Sequence, residues 1–199
     1  CCFWMSVSAL STSTPARDQV LATALRLFTE RGYFNTSVHD VVRDSGVSTG
    51  SIYHHFKDKE GIAKALYDGL VVHMGTAIAD IQKQHKTPHD QCRAVIENLF
   101  QMTEAEPEIM AFMLYAKHRE FMPEEAPICS SKPFEQMRNM VKDGMDSGML
   151  VSMDPLVAAT AVFGGALRMI NLRLDGILEK PLPAYLDEVW QCAWRSVAK

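Results

Sequence analysis

Apolar residues recur every three to four positions along most of the chain, the spacing that gathers them on one face of a helix. Thr14-Pro15 is an N-cap followed by proline at the first helical position, and Val20, Leu21, Ala24, Leu25 and Phe28 follow at helical spacing up to a stop at Gly32. Two short helices come next. Thr36 or Ser37 caps the first, whose apolar positions are Val38, Val41 and Val42, and Gly46 ends it; Ser48 caps the second, which turns Ile52 and Phe56 inward. Asp58 then caps a long helix from Lys59 to about Gln84, about 40 Å in length.

Prolines and glycines divide the remainder into helices over 88–105, 108–121, 134–147, 155–175 and 184–198, with a loop over 123–131. No segment sustains the period-two alternation of a half-buried strand. The pattern predicts an all-α protein of nine helices. It organises as a flexible arm (1–14), a helix-turn-helix unit (15–58) and a larger helical bundle (59–199). Residues 6–14 are Ser/Thr-rich, and Met5 reads as a natural start.

Composition narrows the class. With 199 residues, 47% hydrophobic and 22% charged, the chain can bury a sizeable core and is not of disordered type. No stretch is read as a bilayer span of about 20 apolar residues. The formal charge is −4, made of +1 over residues 1–64 and −5 over the rest, so any nucleic-acid reading must rest on pattern rather than basicity. Five cysteines without regular spacing point to neither a disulfide framework nor a metal knuckle, and a reducing cytoplasm fits them. No nucleophile elbow, phosphate loop, dinucleotide fingerprint or zinc-protease motif occurs, so the chain is read as a non-enzyme without cofactor or metal.

The informative stretch is residues 36–59. A major groove about 12 Å wide admits one helix, whose N-terminal side chains reach base edges. Residues 48–56 suit that role: Ile52 and Phe56 face inward, leaving Thr49, Gly50, Ser51, Tyr53 and His54 near the outer face, with Ser48 as cap. Lys57 and Lys59 place cations where phosphates lie. A short helix pair around a glycine turn is, on pattern alone, also a common packing unit.

Gly-Val-Ser-Thr-Gly-Ser-Ile-Tyr-His-His-Phe-Lys-Asp-Lys-Glu, residues 46–60, closely resembles the signature of the TetR family of transcriptional regulators. The resemblance implies a homodimer, each N-terminal unit binding half of an inverted-repeat operator in double-stranded DNA. It implies base contacts by Thr49, Gly50 and Ser51, a phosphate or sugar contact by Tyr53, a base or backbone contact by His54, and phosphate contacts by His55 and Lys59. Thr36 and Ser37 would offer hydroxyls and backbone N–H groups to a phosphate at a helix N-terminus. Val42 stands where the family usually has a small residue, which bears on the crossing of the two short helices.

Residues 100–170 are rich in methionine and aromatic side chains, which fill irregular cores and also line adaptable pockets. The resemblance implies a pocket in helices four to eight. Phe100, Met102, Met110, Met113, Tyr115, Phe134, Met137, Met140 and Phe163 are the candidate lining, with His118, Arg168 and Asn171 as orienting polar groups for a small apolar or aromatic effector. The other reading of these residues is a Met-rich core with no cavity. Leu186, Trp190, Ala193 and Val197 form one face of the last helix, with Trp194 beside it. With Gly164-Gly165 they are the candidate dimer interface, or else an intramolecular contact. The resulting expectation is a ligand-responsive, DNA-binding repressor. The alternative is a helical carrier or sensor that never touches DNA.

Overall fold

The computed structural model describes residues 14–125 and 130–199; the expected N-terminal arm up to residue 13, Met5 and Cys129 lie outside the described residues. The helices are α1 (Pro15–Arg31), α2 (Val38–Ser45), α3 (Thr49–Phe56), α4 (Lys59–Gln84), α5 (Pro88–Ala105), α6 (Pro107–Tyr115), α7 (His118–Phe121), α8 (Lys132–Asp146), α9 (Pro155–Leu174) and α10 (Leu186–Arg195). A 3₁₀ turn, Leu182–Tyr185, precedes α10. The described residues thus hold ten α-helices and no strand, only one isolated bridge pairing Leu150 with Ala198. The expected all-α class is correct, and two differences have local causes. The helix read over 108–121 breaks after Tyr115, where the chain turns and the Ala116 carbonyl accepts from the His118 N–H at 2.9 Å. The last helix begins as a 3₁₀ turn because Pro181 and Pro183 withhold two N–H donors.

The described residues form two compact units. The first comprises residues 14–73 and 111–125, so the boundary expected at residue 58 falls inside it. Its core contains Val20, Leu21, Ala24 and Phe28 of α1, Val41 of α2, Ile52 and Phe56 of α3, Ile62 and Leu66 of α4, and Phe112 of α6, all buried. The second comprises residues 74–110 and 130–199. There α5, α8, α9 and α10 bury Cys92, Ile96, Phe100, Met137, Met140, Val162, Phe163, Ile170 and Trp190. The Arg173 guanidinium donates to both carboxylate oxygens of Glu104 at 2.9 Å, and Glu104 also accepts from the Leu182 N–H at 2.8 Å. This bidentate pair fixes the turn after α9 to α5.

The reading that no segment could span a bilayer needs correction. By length and composition α9 is long and apolar enough to do so. Within the second unit its Ala158, Ala159, Val162, Phe163, Ala166 and Ile170 are buried among neighbouring helices, a placement that makes equal use of an apolar stripe.

Candidate nucleic-acid interface

The helix-turn-helix unit is built by caps and a small shared core. Ser37 caps α2 through a capping box: its hydroxyl accepts from the Asp40 N–H, while its own N–H donates to the Asp40 carboxylate at 2.9 Å. Gly46 ends α2 in the left-handed conformation at φ +69°, which glycine adopts without a Cβ penalty. Ser48 then caps α3 by accepting from the Ser51 N–H. Gln19 of α1 donates to the Ser45 carbonyl at 2.7 Å, and the Arg17 guanidinium lies 5.7 Å from the Phe56 ring centroid. These contacts hold α2 and α3 against α1, with Ile52 and Phe56 inward as their spacing requires.

What remains outside is the face on which base recognition was expected. Thr49, Gly50 and His54 are exposed, Tyr53 is 48% exposed, and Ser51 and His55 are half-buried. A Cβ on Gly50 would meet no atom within 4 Å, so nothing inside the fold requires glycine there. His55 Nε2 lies 3.4 Å from the Thr14 hydroxyl. Lys57 is exposed and closes α3 with φ +64°, a strained value for a residue with a Cβ.

Three of the expected phosphate contacts look different in three dimensions. Thr36 is 1% exposed, and its hydroxyl is shared between the Gly32 and Leu27 carbonyls at 3.0 and 3.3 Å, so it is not offered to a phosphate. The Ser37 hydroxyl donates to Asp40 at 2.6 Å, and that carboxylate already occupies the α2 N-terminus. The Ser37 hydroxyl and N–H hold the Asp40 pKa down at about 2, with Arg43 adding its charge. Lys59 donates to the Tyr33 and Thr36 carbonyls at 3.0 Å each and sits 4.1 Å from the Tyr33 ring centroid; burial lowers its pKa. Its ammonium staples the loop between α1 and α2, a role its position in the motif did not reveal.

The candidate effector residues are divided between the two units. Phe100, Met110, Met137 and Met140 are buried in the second unit's core, Met102 and Asn171 are half-buried there, and Arg168 is exposed. Phe134, Met137 and Phe163 do meet, lining an open groove of about 170 Å³ with Leu156 and Gly164. Met113, Tyr115 and His118 lie in the first unit. His118 is buried among the rings of Phe112, Tyr67 and Phe121, at centroid separations of 4.9, 5.2 and 5.7 Å. Neither ring nitrogen has a hydrogen-bond partner of good geometry. Burial lowers its pKa, opposed in part by backbone groups of Phe112 and Met113.

The candidate dimer residues divide in two. Leu186, Trp190 and Val197 are buried within their own unit, and Trp190 Nε1 donates to His89 Nε2 at 3.2 Å, with Trp194 against the same imidazole at 4.8 Å. Packing within the chain is the alternative the sequence left open for this face, and it follows because an amphipathic helix turns its strongest apolar face toward the nearest core, here α5 and α9. Gly165 and the edge of Ala193 instead line an open apolar groove of about 540 Å³ with Ala161, Met169, Val189 and Cys192.

Three helices locked by two capped turns, with an inward pair and an exposed outer face on the last, make a helix-turn-helix unit. Residues 20–66 match the family described as bacterial regulatory proteins, tetR family. Through this segment the chain is similar to that family, and its fold is that of solved proteins described as TetR family regulators. The HTH-type transcriptional regulator BetI of Pectobacterium carotovorum subsp. carotovorum is 30% identical over 86 residues, 42% of this chain and 44% of that protein. The chain spans less than half the length of such curated relatives. A TetR family regulator from Marinobacter aquaeolei superposes with a TM-score of 0.77 at 20% identity, covering 92% of this chain and 96% of the other. FadR from Bacillus subtilis, solved in complex with stearoyl-CoA, gives 0.71 at 21% identity, covering 88% and 96%.

Proposed function

We propose that this protein is a DNA-binding transcriptional repressor that acts as a homodimer on an inverted-repeat operator and is released by a small apolar effector. The observation that carries the reading is the outer face of α3. Thr49, Gly50, Ser51, Tyr53 and His54 lie on or toward the surface while Ile52 and Phe56 anchor the helix from beneath. Base contacts fall to those five residues, with Ser48 and His55 at the edges and Lys57 near phosphate. Lys59 and Thr36 support the loop rather than the DNA. Two half-sites about one helical turn apart, about 34–36 Å, would take the two copies of α3.

The dimer reading is supported by the open apolar groove at Gly165, Val189 and Cys192, and the effector reading by the apolar groove at Phe134, Met137 and Phe163. The stearoyl-CoA complex of the similarly folded FadR supports an apolar effector class. The protein would work in the cytoplasm, where its DNA is. An effector changes operator affinity only as far as its own affinity differs between the two conformers.

Selection of bound duplexes from a randomised DNA library, with the purified full chain at moderate salt, tests this. Enrichment of an inverted repeat that is lost with Tyr53→Ala is the expected result. No enrichment, repeated after denaturing and refolding to strip any co-purified ligand, overturns it in favour of a carrier without DNA affinity. The near-neutral charge of residues 1–64 is the feature that favours that second reading.

A further inference from the structure

The first unit contains a concave aromatic groove unrelated to the outer face of α3 and to the apolar grooves of the second unit. Phe28 of α1, Tyr33 and Phe34 of the following loop, Phe112 and Tyr115 of α6 and Phe121 of α7 line it, enclosing about 280 Å³. Two of these rings are largely in solvent, Phe34 at 63% and Tyr115 at 46% exposed, and together they make an exposed aromatic patch at the mouth of the groove. Tyr33 and Phe121 stack with centroids 4.0 Å apart, and Phe34 meets each of them edge-on. The groove therefore offers edges and faces already set at the angles in which aromatic rings attract one another.

Its charged lining consists of Lys117 and Glu120, which are bonded to each other at 3.1 Å. An ion entering the groove would meet a compensated pair and lose its hydration, whereas a neutral ring system loses little. The volume is below that of sites for drug-sized ligands, and suits about two fused rings.

We propose that this groove is a binding site for a neutral, planar aromatic small molecule. An occupant lies against the loop that runs from Gly32 to Thr36, whose Tyr33 and Thr36 carbonyls Lys59 holds and which leads into the Ser37 cap of α2. The site deepens the repressor reading by giving an effector direct contact with the helix-turn-helix unit, and to that extent rests on it. Ligand binding itself requires no DNA, so the two ideas fail separately.

Titration calorimetry of the full chain with 2-naphthol, neutral at pH 7, gives the readout. One site per chain is expected, weakened at least about tenfold in the Phe34→Ala/Tyr115→Ala double variant. Both side chains are partly in solvent, so the variant keeps its fold, which its circular dichroism melt verifies. The anion 2-naphthoate is expected to bind at least about tenfold more weakly than 2-naphthol. No binding of 2-naphthol, or equal affinity in the double variant, overturns the site; equal or tighter binding of 2-naphthoate overturns the assignment of a neutral ligand. Each outcome stands whether or not an operator is found.

Discussion

Gly61 shows how much a single missing methyl group can decide. In the sequence it is one of three glycines that weaken a long helix. In the structure a Cβ at that position would lie 1.9 Å from the Phe56 carbonyl oxygen, a backbone atom with nowhere to go, at the junction of α3 and α4. Gly61→Ala is therefore expected to destabilise the first unit by about 3 kcal/mol, the upper part of the overpacking range, as read by the urea midpoint. Gly50→Ala, with no atom within 4 Å of the new methyl, is expected to leave the midpoint unchanged or raise it by up to about 1 kcal/mol, because alanine favours the helix. Equal midpoints for Gly61→Ala and the parent would contradict the close approach. If α3 enters a major groove, Gly50→Ala separates the two requirements by losing DNA affinity without losing stability.

At the scale of elements, α9 and α10 are the instructive pair. α10 is amphipathic and α9 is apolar nearly all round, and a helical pattern tells which residues share a face but not which neighbour covers it. Trp190 and Val197 face their own chain, whereas Gly165, Val189 and Cys192 border the open apolar groove. The proposed dimer is therefore expected to depend on the second set. Val189→Glu should give folded monomers on light-scattering chromatography. Trp190→Glu should instead unfold the second unit, since it removes a buried indole and its bond to His89, a loss on the order of 3–5 kcal/mol. Dimers that persist in Val189→Glu would place the interface elsewhere.

For the molecule as a whole, stability should fall with pH through two groups whose folded pKa lies below the ordinary value, His118 through burial and Asp40 through hydrogen bonds. Burial holds the folded pKa of His118 below its ordinary 6.5, so the native state binds fewer protons than the unfolded chain across that interval. The stability it confers is complete above pH 6.5 and is lost as pH falls toward and through the depressed folded value. His118→Leu is expected to flatten urea-derived stability between pH 7.5 and 5.5 relative to the parent; parallel profiles would show that His118 does not control that range. Asp40 acts further down. Its capping bonds are present above its ordinary value of 3.8 and disappear only as pH falls through about 2.

Much of this was legible in the order of residues. Helix caps and stops act locally: Thr14, Ser37 and Ser48 accept from N–H groups three residues on, and Gly46 takes up a left-handed turn, so these boundaries could be read from a few letters. The inward placement of Ile52 and Phe56, the all-α class and the helix-turn-helix segment follow from the same short-range rules. What only the tertiary structure decided is long-range and depends on where chain segments return. Nothing within residues 59–63 says that the Lys59 ammonium will meet the carbonyls of Tyr33 and Thr36. Nor does the Met-rich pattern say that Tyr115 will line a groove with Phe34. Periodicity specifies a face; packing among distant segments chooses its partner, and with it which aromatic and polar groups are spent in the core and which are left to bind.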